Sequence, residues 1–200
     1  MANSNVPPVP EGADDLTQKG IDVLVNTLHN SADPTIRRHA AYLLGNAKTT
    51  QAIRPLIEAL GDLDKSVREQ AMLALVATGK AATEPVSEAI KDPKWETRYR
   101  AAEALGKIAD EKAIKPLIQA LRDNRDHVRY MAAKGLKDVG DSTAIDPLII
   151  LLKDENRVVR SMTVRALSAI GGNRAKAALN EALATETDEK VKEEIIGALK

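Results

Sequence analysis

The chain contains no cysteine and no phenylalanine, and its 200 residues include one tryptophan and three tyrosines. The first absence removes disulfides, thiolate metal sites and cysteine nucleophiles. The second leaves an interior to be filled by Leu, Ile, Val and Ala, which suits closely packed helices better than stacked sheets. Net charge is missing too, because 29 basic residues meet 29 acidic ones. No overall field therefore draws the molecule toward nucleic acid or an anionic membrane. No apolar run is long enough to span a bilayer, and the opening MANSNVPPVPEGADD has neither the basic region nor the apolar stretch of a signal peptide. The expectation is a cytoplasmic protein.

What the chain does have is repetition. Residues 94–121, KWETRYRAAEALGKIADEKAIKPLIQAL, read as two short amphipathic helices joined by a turn, and variants recur about every 31 residues. Residues 1–13 carry three of the nine prolines and little to bury, so a disordered tail is expected there. A solenoid is expected over 14–200, in units of about 14–48, 49–79, 80–110, 111–140, 141–172 and 173–200.

In the first helix of each unit, apolar residues recur at spacings of three, four and seven, as in Ile53, Leu56, Ile57 and Leu60 or Ile114, Leu117, Ile118 and Leu121. That spacing puts them on one helical face. Pro55, Pro85, Pro116 and Pro147 share one slot in four successive units, early in the helix, where a missing amide hydrogen costs little. The sixth unit has Ala178 in that slot and polar Lys176 and Asn180 nearby, as a terminal capping unit should.

The second helices carry a basic anchor at Arg37, Arg68, Arg98, Arg129, Arg160 and Lys192. A small residue usually follows three positions on, and leucine stands seven positions on at Leu44, Leu75, Leu105, Leu136, Leu167 and Leu199. Asp33, Asp64 and Asp188, four before the anchor, and Asp62, Asp92, Asp123 and Asp154, six before it, are candidate helix caps. Gly79, Gly140 and Gly171 fit left-handed helix ends. The repeated Arg is read as a brace between units, bonded to aspartates of the preceding loop, in preference to a phosphate-binding ladder.

The pattern apolar-x-P-L-I-x-A-L followed by D-x-x-x-V-R-x-x-A-x-x-A-L-G resembles the short HEAT-like repeats named after phycobilisome lyases. The resemblance covers about residues 15–200. It implies an all-α fold, a right-handed α-α superhelix (α-solenoid) of about six HEAT-like helix pairs. It also implies that the Pro-bearing helices form the convex layer and the Val-Arg helices the concave face.

Comparing units separates shared positions from private ones. On the second helices the slots three before the anchor and one, five and nine after it form a stripe, and all four aromatics fall there: Trp95, Tyr99, Tyr130 and Tyr42. With Arg38, Arg100, His127, Met131, Lys134, Met162 and Arg165 from the same and neighbouring slots, they make up the candidate partner-binding set. Aromatics, Arg and Met are the residues of adaptable protein-recognition surfaces. A protein or peptide on the concave face is the expected partner. Mixed charge along the stripe disfavours nucleic acid.

Catalysis finds little support. The three histidines are scattered and none is followed by Glu, unlike the iron-holding HEAT-like hydroxylases. No Gly-rich phosphate loop, nucleophile elbow or zinc-binding helix motif occurs. The expectation is therefore a non-enzymatic interaction scaffold with no cofactor. The alternative implied by the resemblance is a bilin lyase-like protein or subunit that holds a tetrapyrrole. An unpaired terminal unit can also stack on another copy of the chain.

Overall fold

The computed structural model describes residues 13–200, with side chains from Gln18 onward. Apart from Ala13, the expected tail at 1–13 lies outside the described residues. Twelve α-helices follow one another: α1 (Ala13–Asn30), α2 (Pro34–Ala47), α3 (Ile53–Ala59), α4 (Lys65–Thr78), α5 (Thr83–Glu88), α6 (Trp95–Ile108), α7 (Ile114–Ala120), α8 (Asp126–Val139), α9 (Ile145–Leu151), α10 (Arg157–Ile170), α11 (Asn173–Thr185) and α12 (Glu189–Leu199). The fold is an all-α, right-handed α-α superhelix of helix pairs. The even-numbered helices pack on one another in one layer. The odd-numbered helices form a second layer and make far fewer direct contacts among themselves.

Proline shapes the second layer. In α3, α5, α7 and α9 it is the third residue, and a 3₁₀ turn leads into each of these helices. The pyrrolidine lacks only an amide that the first turn leaves unpaired anyway. In α1 and α11, which carry no proline, the helix runs uninterrupted for 18 and 13 residues.

The core follows the shared slots. Leu44, Leu75, Leu105, Leu136 and Leu167 have no exposure at all, and each such burial stabilises the fold by about 1.5–3 kcal/mol. Val67, Thr97, Val128, Val159 and Val191, one position before the anchor, are buried. In the first unit, which has no preceding partner among the described residues, Ile36 at this slot is 49% exposed.

Close approach of the even-numbered helices depends on small residues. A Cβ added to Gly106 would lie 2.5 Å from the Gly135 Cα, and one added to Gly45 would lie 2.7 Å from the Ala74 Cβ. Real carbon atoms do not approach so closely, so these helices touch backbone to backbone.

The anchors brace successive units, but with a directional correction. The carboxylate that pairs with each Arg lies in the following unit. Arg37 is forked onto Asp62 with both bonds at 2.8 Å, Arg98 onto Asp123 at 2.6 and 2.8 Å, Arg129 onto Asp154 at 2.7 and 2.9 Å, and Arg160 onto Glu186 with both at 2.8 Å. The preceding loop supplies backbone carbonyls instead, such as Ser31 O and Ala32 O for Arg37. Asp62, Asp123 and Asp154 each also accept the amide two residues on, so they shape the loop and do not cap the helix. Asp33, Asp64 and Asp188 do cap α2, α4 and α12.

Arg68 breaks the series. Among the described residues its side chain donates only to Asp62 O and Leu63 O. The paired acids of Arg37, Arg98 and Arg129 lie 25 residues on, whereas residue 93 is a proline and Asp92 stands one position early. The unit is a residue short, since Arg68 to Arg98 is 30 positions and Arg37 to Arg68 is 31. Across this junction Lys94 Nζ donates to Gly61 O at 3.2 Å, and Thr97 is buried beside Gly61.

Candidate functional site

Three of the four aromatics fall in one neighbourhood, on α6 and α8. Trp95 and Tyr99 stand one turn apart in α6 and meet edge to face, with centroids 6.4 Å apart. The Trp95 ring reaches across to His127 of α8 at 5.5 Å. Arg100 lies over the Tyr99 ring, 5.4 Å from its centroid, and is held by Glu103 at 2.6 Å. Burial, followed by the Glu103 carboxylate, pushes the Tyr99 phenol above its usual range. Such aromatic pairs contribute about 0.5–1.5 kcal/mol beyond their area. Much of the α6 cluster is thus already occupied with itself.

Two cavities open beside it. One, of about 230 Å³, lies between Tyr99, Asp126, His127, Tyr130, Asn156 and Val158. The other, of about 180 Å³, is bounded by Tyr130, Val158, Met162 and Val191 and rimmed by Arg157, Arg165 and Lys190. Tyr130 and Val158 line both, so the two form consecutive sockets along α6, α8, α10 and α12. In the first, Asp126 accepts from the His127 ring and amide and from Asn156. The His127 contact, with burial opposing, leaves the Asp126 carboxyl below its usual range.

The slot structure explains the second socket. One position after the anchor, α6 and α8 carry Tyr99 and Tyr130, whereas α10 carries Ser161. Small Ser161 leaves space where the two preceding units place a ring. Two positions before the anchor, Val158 stands 49% exposed where the other units carry Thr35, Ser66, Glu96, His127 and Lys190. Neither Ser161 nor Val158 is in the sequence-derived set. Both depart from the repeat, Ser161 by being small and Val158 by being apolar at an exposed slot.

Other members fall elsewhere. Met131 and Met162 are 4% and 5% exposed, and this corrects their assignment to an open recognition surface. At the slot two after the anchor the side chains of α6, α8, α10 and α12 are largely covered, whereas His39 of α2 is exposed. Arg100 at that slot is 12% exposed, and Glu194 reaches back from it to Ser161 and Arg165. Met162 keeps a role as socket floor, but Met131 is core. Tyr42 is 48% exposed and stacks on His39 at 6.1 Å in the first unit. With Arg38 it lies two units away from Trp95. Lys134 is half-buried and Arg165 is exposed.

A larger trough of about 960 Å³ lies on the odd-numbered layer, among Glu88, Glu111, Ile114, Pro116, Ile118 and Asp141. None of its lining residues belongs to the variable slots of the second helices. Among the described residues no group of three or more His, Asp or Glu converges to hold a metal ion. No helix among them is long and apolar enough to cross a membrane.

The fold is shared with known structures. A chain in the complex of CpcE and CpcF of phycocyanin lyase from Nostoc sp. PCC7120 is 25% identical with a TM-score of 0.70, over 76% of this chain and 100% of that one. A designed armadillo repeat protein in complex with the peptide (KR)4 is 22% identical with a TM-score of 0.57, over 90% of this chain and 99% of that one. Human deoxyhypusine hydroxylase is 20% identical with a TM-score of 0.52, over 95% and 98% of the two chains. No curated protein matches in sequence. The family model for HEAT repeats matches residues 21–86, 79–129 and 114–200, and the chain belongs to that family.

Proposed function

We propose that the protein is a non-enzymatic scaffold that holds an extended peptide or a protein surface along α6, α8, α10 and α12. The observation that carries this reading is the pair of consecutive sockets sharing Tyr130 and Val158. At about 230 and 180 Å³ each falls below the ~300–1,000 Å³ of pockets that enclose a compact ligand. Each has room for a side chain. Neighbouring helices stand roughly 8–10 Å apart, and an extended chain in the polyproline II conformation advances about 3.1 Å per residue with about three residues per turn, so every third side chain faces the same way. Side chains about three residues apart would thus enter adjacent sockets. Tight packing of the even-numbered helices, with looser packing of the odd-numbered ones, supports placing this face on the concave side.

The test is direct binding to partners recovered from a host lysate, comparing the wild type with Tyr130→Ala/Val158→Ala and Trp95→Ala/Tyr99→Ala. Equal affinity of all three for every recovered partner would refute this face as the binding site. A cytoplasmic location belongs to the same reading. So does self-association through a terminal unit, which the exposed Ile36 and Leu43 support. Leu43 stands where later units carry Ala74, Ala104, Gly135, Ala166 and Ala198. Its bulk opposes a simple continuation of the stack.

A second reading rests on the likeness to phycocyanin lyase at 25% identity and TM-score 0.70. The chain would then be a lyase-like subunit that holds a tetrapyrrole. Titrating purified protein with a bilin separates the two readings, because a shifted absorption band favours the lyase-like one and an unchanged spectrum favours the scaffold.

A further inference from the structure

Resting on the peptide-binding reading, we infer that the socket between α8, α10 and α12 receives an apolar side chain from an acidic peptide, whose neighbouring carboxylate is held by the rim of Arg157, Arg165 and Lys190. The socket has an apolar interior and a cationic edge. Its floor, Met162 and Val191, is buried, and Tyr130 and Val158 form the walls. All three charged residues that line it are basic. An apolar side chain flanked by Asp or Glu matches that division, while a flanking Lys or Arg would meet like charge at close range.

The nearby acids do not cancel the rim. Glu194 holds Arg165 at 2.6 Å and also accepts from Ser161, but Arg165 remains 54% exposed. Asp188 stands 3.9 Å from Arg157, yet its carboxylate accepts the Lys190 and Val191 amides at the start of α12. Arg157 is 57% exposed. Glu189 is drawn away to Lys192 at 2.6 Å. The forked guanidiniums deeper in the molecule are consumed by their own partners, so these three cations are the ones that face a ligand at this socket.

The test uses the full chain and fluorescein-labelled synthetic peptides that present Leu or Phe between two Glu residues, with Lys and Gln versions of the same peptides. Binding is read by anisotropy at low and moderate salt. The acidic peptides are expected to bind at least about tenfold more tightly than the Lys versions and to weaken as salt rises. Arg157→Glu/Lys190→Glu, both at exposed positions, should reverse that order, and Ser161→Tyr should block the socket. Preference for the Lys peptides, or indifference to charge, would overturn the acidic assignment. If such binding were still lost in Tyr130→Ala/Val158→Ala, the peptide-binding reading would stand without it. Failure of every peptide, together with equal binding of lysate partners to the wild type and the socket variants, would overturn both.

Discussion

Arg98 and Asp123, 25 positions apart, are joined by two parallel bonds of 2.6 and 2.8 Å, while Arg68 one unit earlier meets no carboxylate among the described residues. The same residue type at the same slot is thus engaged differently. Arg98→Ala removes a forked pair whose members are 12% and 9% exposed and leaves Asp123 covered without its partner. We expect a loss of about 2–3 kcal/mol. Arg68→Ala removes only bonds to two backbone oxygens and should cost about 1 kcal/mol. Urea unfolding of the two variants checks the difference, and equal losses would contradict the bracing role.

The same pairs set the response to acid. Burial pushes Asp62 and Asp123 upward, but the Arg37 and Arg98 guanidiniums and the loop amides outweigh it and hold both carboxyls below the usual range. The Arg160 bond, opposed by burial, does the same for Glu186. With folded values below unfolded ones near ~4, the unfolded chain binds more protons in acid. The stabilisation is complete above the unfolded values and is lost as pH falls through the lower folded ones. Thermal unfolding should therefore show a flat midpoint from about pH 7 to 5 and a fall below about 4. Arg98→Met should start lower and fall less steeply.

Glycines offer a paired experiment. A methyl group on Gly106 meets the Gly135 Cα at 2.5 Å, with no flexible side chain to move aside. Gly106→Ala should destabilise by about 1–3 kcal/mol. Gly197 lies within α12 with nothing within 4 Å of an added Cβ. Gly197→Ala should stabilise by about 0.5–1 kcal/mol through helix propensity. Opposite shifts in melting temperature are expected from one chemical change.

Burial separates Met131 from His127, although both occupy variable slots of α8. Met131→Ala empties a core position and should cost about 2–4 kcal/mol of stability. His127→Ala, at a side chain 67% exposed, should change stability little. It should weaken binding at the Trp95 side of the face, as measured with the partners recovered from lysate. If Met131→Ala weakened binding without loss of stability, its placement in the core would be wrong.

The repeat was readable because each unit must bury the same faces. Leucines such as Leu105 and Leu136 recur at fixed distance from the anchor and are all covered. The direction of the anchor's pairing was less legible. A sequence gives the distance from Arg98 to both Asp92 and Asp123, but only helix stacking decides which carboxylate the fork can reach. Met131 was misplaced for a related reason. Variability shows that a slot is not shared, whereas packing of the helix against its neighbours decides whether that slot is wet. The sockets were hidden in a different way, because Ser161 matters through the volume that it leaves empty.

The missing residue between Arg68 and Arg98 also bears on how the molecule comes apart. In a stacked array the strength of the whole is limited by its weakest neighbour contact. Here that joint is α4 against α6, spanned by a single lysine bond to a carbonyl where other joints have a two-point ionic clasp. Under load or denaturant the first two units should separate as one block and the last four as another. Slow amide exchange would then report two cooperative blocks divided near residues 79–80, between α4 and α5, with the sockets on the longer one.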